Sequence, residues 1–295
     1  MLGCKSIATP QILKEKSSSS DDIIVDATEF RSIVGALQYL TFTRPDITHA
    51  VNRACQHFSK PTMTDLKAVK RILRYLRGTQ NWGLRYLNNT PHSLYGFSDA
   101  DWAGCPVTRR STTGYCVFLG ANCISWSSKK QPTVARSSTE AEYRSMAHTT
   151  AELTWITYLL QDIDVSLPRA PQLFCDNISA LHMSVNPVFH ARTKHIELDY
   201  HFVREKVAMG ALVTRYTPTS SQIADVFTKP LAKDSFFKFR SKLGVYPSPP
   251  TSLRGYDKEP NQNQLIGVDS MINKDEKSAK REDIRIATNG NKSLK

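Results

Sequence analysis

The chain has 295 residues, enough for one good-sized domain and smaller parts. With 40% hydrophobic and 22% charged residues and no run of 18 apolar residues, it reads as a globular chain without a membrane span. Lys and Arg total 39 against 27 Asp and Glu, and this net charge of +12 favours a polyanionic partner, nucleic acid foremost.

The N-terminus has no apolar segment of the kind a secretory signal needs, so an intracellular location, in a cytoplasmic particle or the nucleus, is expected. The six cysteines are scattered without a C-x-x-C pair, which argues against a disulfide framework or a zinc site. His190, His195 and His201 fall on different faces of any helix, so they are not read as a metal site.

Residues 1–28 are polar and contain SSSSDD, and we expect a flexible lead-in. From Glu29 to Arg85 the apolar residues recur at helical steps: Phe30, Ile33, Val34, Leu37 and Leu40, then Leu66, Val69, Ile72, Leu73 and Leu76. Three short helices are predicted, punctuated by Pro45 and Pro61, with Asp46 and Thr64 as openers. The cationic residues interleaved there, Arg71, Arg74 and Arg77 among them, suit either a solvated face or nucleic acid.

From Ser93 the texture changes. LYGFSD, GYCVFL and NCISWSS are short runs rich in aromatic and β-branched residues, broken by Gly114 and Gly120-Ala121, and they predict a three-strand meander. A long helix over 138–163 follows, then a buried strand over 172–177, a brief helix from Ser179, and an amphipathic helix from Lys194 to Met209. A fifth strand at 211–217 and a closing helix at 220–231 complete the series. PSPP at 247–250 marks a boundary, and the polar tail over 246–295 is expected to be disordered. That tail holds 9 Lys and Arg and 7 Asp and Glu, so the basic excess belongs to residues 1–245.

The order β-β-β-α-β-α-β-α sets four acids at related points: Asp99 at the end of the first strand, Glu142 in the first turn of the long helix, Asp176 at the end of the fourth strand, and Asp225 in the closing helix. Clustered carboxylates repel unless cations neutralise them. Two Mg²⁺ ions would do so and would serve phosphodiester hydrolysis, one activating water and both stabilising the attacking and leaving oxygens. Each acid alone has a structural explanation. Asp101 competes with Asp99, Glu142 could complete a capping box with Thr139 unless Ser137 and Glu140 form it, Asp176 could cap the next helix, and Asp225 could lie on a helix surface.

YGFSDADWAGCPVTRRSTTGYCVFLG, ISWSSKKQPTVARSSTEAEYRSMA, FCDNISAL, NPVFHARTKHIELDYHFVREKV and QIADVFTKPL together resemble the RNase H domain that closes the Pol polyprotein of copia-type LTR retrotransposons. LQYLTFTRPDITHAVNRACQHFSKPT and AVKRILRYLRGT resemble the segment joining reverse transcriptase to that domain. The resemblance implies an α/β fold, an RNase H-like mixed five-stranded sheet flanked by helices and preceded by a small helical segment. Its implied divisions are a lead-in at 1–28, a reverse-transcriptase connection at 29–90, an RNase H-like domain at 93–245 and a tail at 246–295.

It further implies cleavage of the RNA strand of RNA–DNA hybrids with two Mg²⁺ ions, or Mn²⁺ in their place. Asp99, Glu142, Asp176 and Asp225 match the family's metal-binding acids, with Ala100 where a Gly is usual. The His that many cellular enzymes carry before the last Asp is not found at 216–224. Arg109, Arg110, Lys129, Lys130, Arg192, Lys194 and His195 are candidates for hybrid contact because they flank the acids or lie in the basic HARTKH turn. The reverse-transcriptase domain of the same element is a further candidate partner. No polymerase, protease or integrase motif occurs, so a truncated element fragment is expected. The alternative function is an RNase H-like remnant that binds nucleic acid without cutting it.

Overall fold

Two hydrophobic patterns, one of helical period and one of strand period, sort into two cores. In a computed structural model of the protein, the described residues are 3–13, 23–88, 90–185 and 196–248. The helical pattern forms α1 (Ala27–Leu40), a 3-10 turn (Pro45–Ile47), α2 (Thr48–Cys55) and α3 (Met63–Gly78). Phe30, Val34, Ile47, Val51, Val69, Ile72 and Tyr75 are buried together between them.

The helix openers differ from expectation. Thr62, not Thr64, caps α3, because its extended backbone lets the hydroxyl accept from Asp65 N while the Asp65 carboxylate accepts from Thr62 N. Asp46 opens no helix. It is buried in a two-pronged pair with Arg44, at 2.9 and 2.8 Å, and also accepts from the Tyr75 hydroxyl.

Part of the segment read as a flexible lead-in is held along α3. Arg74 Nε donates to the carbonyl of Lys5 at 2.8 Å, Arg77 Nη1 to that of Cys4 at 2.6 Å, and Arg71 Nη2 to Thr9 Oγ1 at 2.9 Å. These arginines have partners within the chain, which is why the N-terminal strip is ordered here.

A two-stranded antiparallel sheet joins β1 (Trp82–Leu84) to a strand near the end of the described chain. The meander then follows as predicted: β2 (Leu94–Asp101), β3 (Thr112–Leu119) and β4 (Asn122–Lys130), all antiparallel. Gly120 makes the β3–β4 turn with φ +59°, and an added Cβ would meet Thr90 Oγ1 at 2.4 Å, so the tight turn demands glycine.

α4 (Ser138–Asp162) crosses over to β5 (Gln172–Cys175), which pairs parallel with β2. α5 (Ile178–Val185) and α6 (Glu197–Ala208) lead to β6 (Val213–Tyr216), parallel to β5. The sheet order is β4-β3-β2-β5-β6, the mixed five-stranded α/β sheet expected. β2 is central and buried on both faces. On one face Gly96 lets α4 approach so closely that a Cβ would lie 2.8 Å from Thr149 Cγ2. The core there is Leu94, Val117, Tyr143, Met146, Leu153, Leu173, Tyr200 and Val203, each such side chain adding about 1.5–3 kcal/mol by burial.

The closing helix expected at 220–231 does not form. Two 3-10 turns, Thr219–Ser221 and Ile223–Phe227, take its place, followed by α7 (Lys233–Lys242) and β7 (Val245–Pro247), the partner of β1. Gln222 is the cause. Its backbone is extended, and its side chain donates to the Ser98 carbonyl at 2.9 Å, which pulls the segment onto β2. α7 instead packs on the helical block through Phe236. The tail read as disordered from residue 246 begins with β7; from residue 249 it lies outside the described residues. Among the described residues no helix is long and apolar enough to cross a membrane.

Candidate active site

Four elements deliver the four acids to one end of the sheet. Asp99 is the sixth residue of β2, paired with Gly114 of β3. Glu142 sits five residues into α4, one position past the first turn. Ser137 is the N-cap of that helix and accepts from Glu140 N at 3.2 Å, which leaves Glu142 free of capping duty. Asp176 follows the last residue of β5, and Asp225 lies in the 3-10 turn rather than in a helix.

Gly114 explains why that turn reaches Asp99. A Cβ at position 114 would stand 2.5 Å from Thr228 Cγ2 and 2.8 Å from Phe227 Cβ, so the missing side chain is what admits the turn against the sheet. Once there, Thr228 Oγ1 donates to Asp99 Oδ2, and Lys229 Nζ lies 2.8 Å from Asp225 Oδ1 and 3.9 Å from Asp99 Oδ2. Ser145 Oγ, from α4, holds the Asp99 carbonyl at 2.8 Å. Thr219 Oγ1 donates to Asp176 Oδ2 at 2.8 Å.

The charges act on one another. Burial first, and then the negative charges of Asp99 and Asp176, push the Glu142 carboxyl well above its ordinary value. Burial and Asp99 push Asp225 up to about 7, with Lys229 opposing. Asp176 is raised by burial, the Thr219 hydrogen bond opposing and Asp99 adding. Asp101 is raised by burial and Asp99 as well. Burial alone would lower Lys229, but Asp99 and Asp225 outweigh it and its affinity for the proton rises.

Ligand atoms of Glu142, Cys175 and Asp176 lie within 4.8 Å of one another. Asp225 Oδ1 is buried, and the Lys229 ammonium 2.8 Å away is hydrogen-bonded to it, which opposes the upward push of burial on that carboxyl. A gathering of carboxylate oxygens that raise one another's proton affinity, with the Lys229 ammonium against them, fits a divalent cation of the Mg²⁺ class. Cys175 is a soft intruder whose thiol burial keeps protonated.

The basic candidates divide into three. Lys129 and Lys130 pair across β3 with Thr113 and Thr112, which pair in turn with Ala100 and Asp101, so they lie two strands from the acids at the same sheet end. Lys130 donates to Cys105 Sγ at 2.8 Å, and with the Thr108 hydrogen bonds it outweighs burial and brings that thiol down to about 6. Arg109 and Arg110 are exposed on the loop between β2 and β3. Arg192, Lys194 and His195 lie outside the described residues. Lys229, Thr228 and Thr219 were not singled out from sequence; the four-residue spacing of Asp225 and Lys229 is the one signal that pointed to an ion pair.

A mixed five-stranded sheet in this order, with acids gathered at the end of its central strands, is an RNase H-like fold. No family model matches the chain. The retrovirus-related Pol polyprotein from transposon RE1 of Arabidopsis thaliana is 50% identical over 252 residues, covering 85% of this chain and 17% of that one. The corresponding polyprotein from transposon RE2 of the same plant is 49% identical over 252 residues, with the same coverage. Among solved structures, LC11-RNase H1 in complex with an RNA/DNA hybrid matches 46% of this chain and 94% of its own, at 13% identity and a TM-score of 0.35. These homologues at about 50% identity are retrovirus-related Pol polyproteins of copia-type transposons, and the chain spans about a sixth of the length of these curated relatives.

Proposed function

We propose that the chain is a divalent-metal-dependent ribonuclease that hydrolyses the RNA strand of RNA–DNA hybrids, with Asp99, Glu142, Asp176 and Asp225 as the metal-holding acids. The observation that carries this reading is the convergence of four carboxylates from β2, α4, the end of β5 and the 3-10 turn, two of them pushed strongly upward in pKa. A bound pair of Mg²⁺ or Mn²⁺ ions would supply Lewis-acid stabilisation of phosphate charge and an activated water. The chain's own part is to hold the oxygens in place. Thr228 and Ser145 fix Asp99, Thr219 fixes Asp176, and the close approach at Gly114 keeps Asp225 at the sheet.

Between the two strand acids we assign the first metal-holding role to Asp99, because Thr228 and Lys229 both address its Oδ2. Asp101 lies beyond it, over Gly104, where a Cβ would meet its Oδ2 at 1.8 Å. Arg109, Arg110, Lys129 and Lys130 would meet backbone phosphates, which position a duplex without reading its sequence. The domain division follows: a connection segment at 29–90 and an RNase H-like domain at 93–245, acting beside the reverse transcriptase of the same element.

The test is cleavage of a labelled RNA–DNA hybrid by the full chain. Mg²⁺-dependent cutting of the RNA strand, lost in Asp176→Asn, is the expected result. Wild-type protein that binds the hybrid yet never cuts it at any Mg²⁺ or Mn²⁺ concentration would instead be a nucleic-acid-binding remnant.

A further inference from the structure

The turn that carries Asp225 also carries a cation. Lys229 follows Asp225 by four residues, its backbone N–H returning to the Asp225 carbonyl at 3.2 Å. Its ammonium stands 2.8 Å from Asp225 Oδ1 and 3.9 Å from Asp99 Oδ2. Both carboxylates are buried, with side chains 6% and 4% exposed, while that of the lysine is 37% exposed. The positive charge therefore enters from the solvent side and stops at the acids.

The acids do not depend on the lysine for their placement. Gln222 Nε2 ties one end of the turn to the Ser98 carbonyl, and the Thr228 hydroxyl ties the other to Asp99 itself. Pro230 ends the segment immediately after Lys229. If the ammonium leaves, the backbone and both carboxylates stay, and only a flexible four-carbon stem has to change rotamer toward water. The ammonium engages Asp225 Oδ1 at 2.8 Å but stands 3.9 Å from Asp99 Oδ2, so its hold on the pair of acids is one-sided.

One positive charge does not balance this cluster. Asp99 and Asp225 face Lys229 directly, and the charges of Asp176 and Glu142 reach it or its partners. An ammonium and a divalent cation cannot both hold the same carboxylate edge, because they repel each other at the distances that bind them to it.

Resting on the nuclease reading above, we propose that Lys229 is the site's resident counter-ion: it offsets the negative charge of the metal-free cluster and competes with divalent cations for the Asp99–Asp225 side. The lysine thus sets how tightly that side binds metal, and it offsets part of the carboxylates' mutual repulsion before metal arrives.

The experiment is Mn²⁺ binding to the full chain without nucleic acid, read by the electron paramagnetic resonance of free Mn²⁺, together with thermal melts in chelator and in Mn²⁺. Lys229→Met should bind Mn²⁺ about tenfold tighter than wild type and melt lower in chelator, with Mn²⁺ closing the gap. Lys229→Arg, which keeps the charge, should not tighten. Unchanged or weaker binding by Lys229→Met, while wild type binds, overturns the proposal and leaves the nuclease reading intact. Failure of both proteins to bind overturns both readings. Binding by Lys229→Met alone supports competition outright. If Lys229→Met is unfolded in chelator, Mn²⁺ titration replaces the affinity measurement: recovery of a cooperative melt supports the proposal, and no recovery overturns it.

Discussion

The side-chain amide of Asn52, on α2, donates to the carbonyl of Ser128 on β4 at 2.7 Å, and Ser128 Oγ donates in turn to the carbonyl of Phe227 at 2.6 Å. Phe227 ends the 3-10 turn that bears Asp225 and precedes Thr228, the residue bound to Asp99. The helical block therefore reaches the acidic cluster through two hydrogen bonds. A helix that resembles a connection segment is, in this fold, a brace for the candidate active site.

Asn52→Ala removes the first link and leaves the Ser128 carbonyl half-buried with one partner fewer. A loss of about 1 kcal/mol in stability is expected, as for an ordinary hydrogen bond. If the brace matters, hybrid cleavage should fall by more than the unfolded fraction explains. Denaturant melts and cleavage rates on the same preparations decide it. A rate that merely tracks the folded fraction would show that the turn holds itself.

Gly114→Ala probes the same turn from the other side. The new Cβ would stand 2.5 Å from Thr228 Cγ2, 2.8 Å from Phe227 Cβ and 3.1 Å from the Phe227 carbonyl carbon, and backbone cannot yield as a flexible side-chain tip would. Overpacking of this kind costs about 1–3 kcal/mol. Displacement of the turn should also weaken metal binding at Asp225. A Gly114→Ala protein with wild-type melting temperature and wild-type Mn²⁺ affinity would contradict the close approach described for β3.

What the sequence disclosed, and what it withheld, divides along physical lines. The meander, the long helix and the short parallel strand were legible because each is encoded locally, by strand-forming runs, by Gly120 at a tight turn and by Ser137 before an apolar helix face. The four acids were legible through their order and their resemblance to a family. The turn at 220–231 was misread as a helix because its conformation is set by Gln222 reaching Ser98, more than a hundred residues away. Arg71, Arg74 and Arg77 looked like a cationic face for the same reason. Their partners are carbonyls and a hydroxyl at positions 4–9, which no periodicity reveals. Lys229 carried a spacing signal toward Asp225 and none toward Asp99.

The buried pair of Arg44 and Asp46 allows a direct test of whether the helical block is integral to the fold. Their side chains are 5% and 0% exposed, and Tyr75 and Thr79 complete the network. Asp46→Ala leaves the Arg44 guanidinium buried without its counter-charge, which costs about 3–5 kcal/mol. Because α7 and Arg240 join this network through Tyr75, the whole chain should lose its cooperative melt at lower temperature, rather than the block alone. Two separated transitions in calorimetry would show that the two cores unfold independently.

The pH dependence of stability should expose the acids when no metal is present. Asp225 is raised by burial and Asp99 from an ordinary 3.8 to about 7, so the fold binds its proton more tightly than the unfolded chain does. Such a group stabilises fully below pH 3.8, and that contribution is lost as pH rises toward 7. His49 runs the other way: burial, then Arg53, lowers it from 6.5 to about 3, so its contribution is complete above 6.5 and is lost as pH falls toward 3. Asp225→Asn separates the two, because it leaves His49 in place while removing the carboxylate. In chelator, Asp225→Asn should melt above wild type, by a small margin at pH 5 and by a larger one at pH 8. Added Mg²⁺ should reverse the order at pH 8, since only wild type keeps the ligand. Circular dichroism melts at the two pH values test this, and a variant that gains nothing between pH 5 and pH 8 would mean that the Asp225 carboxylate is not held under charge stress.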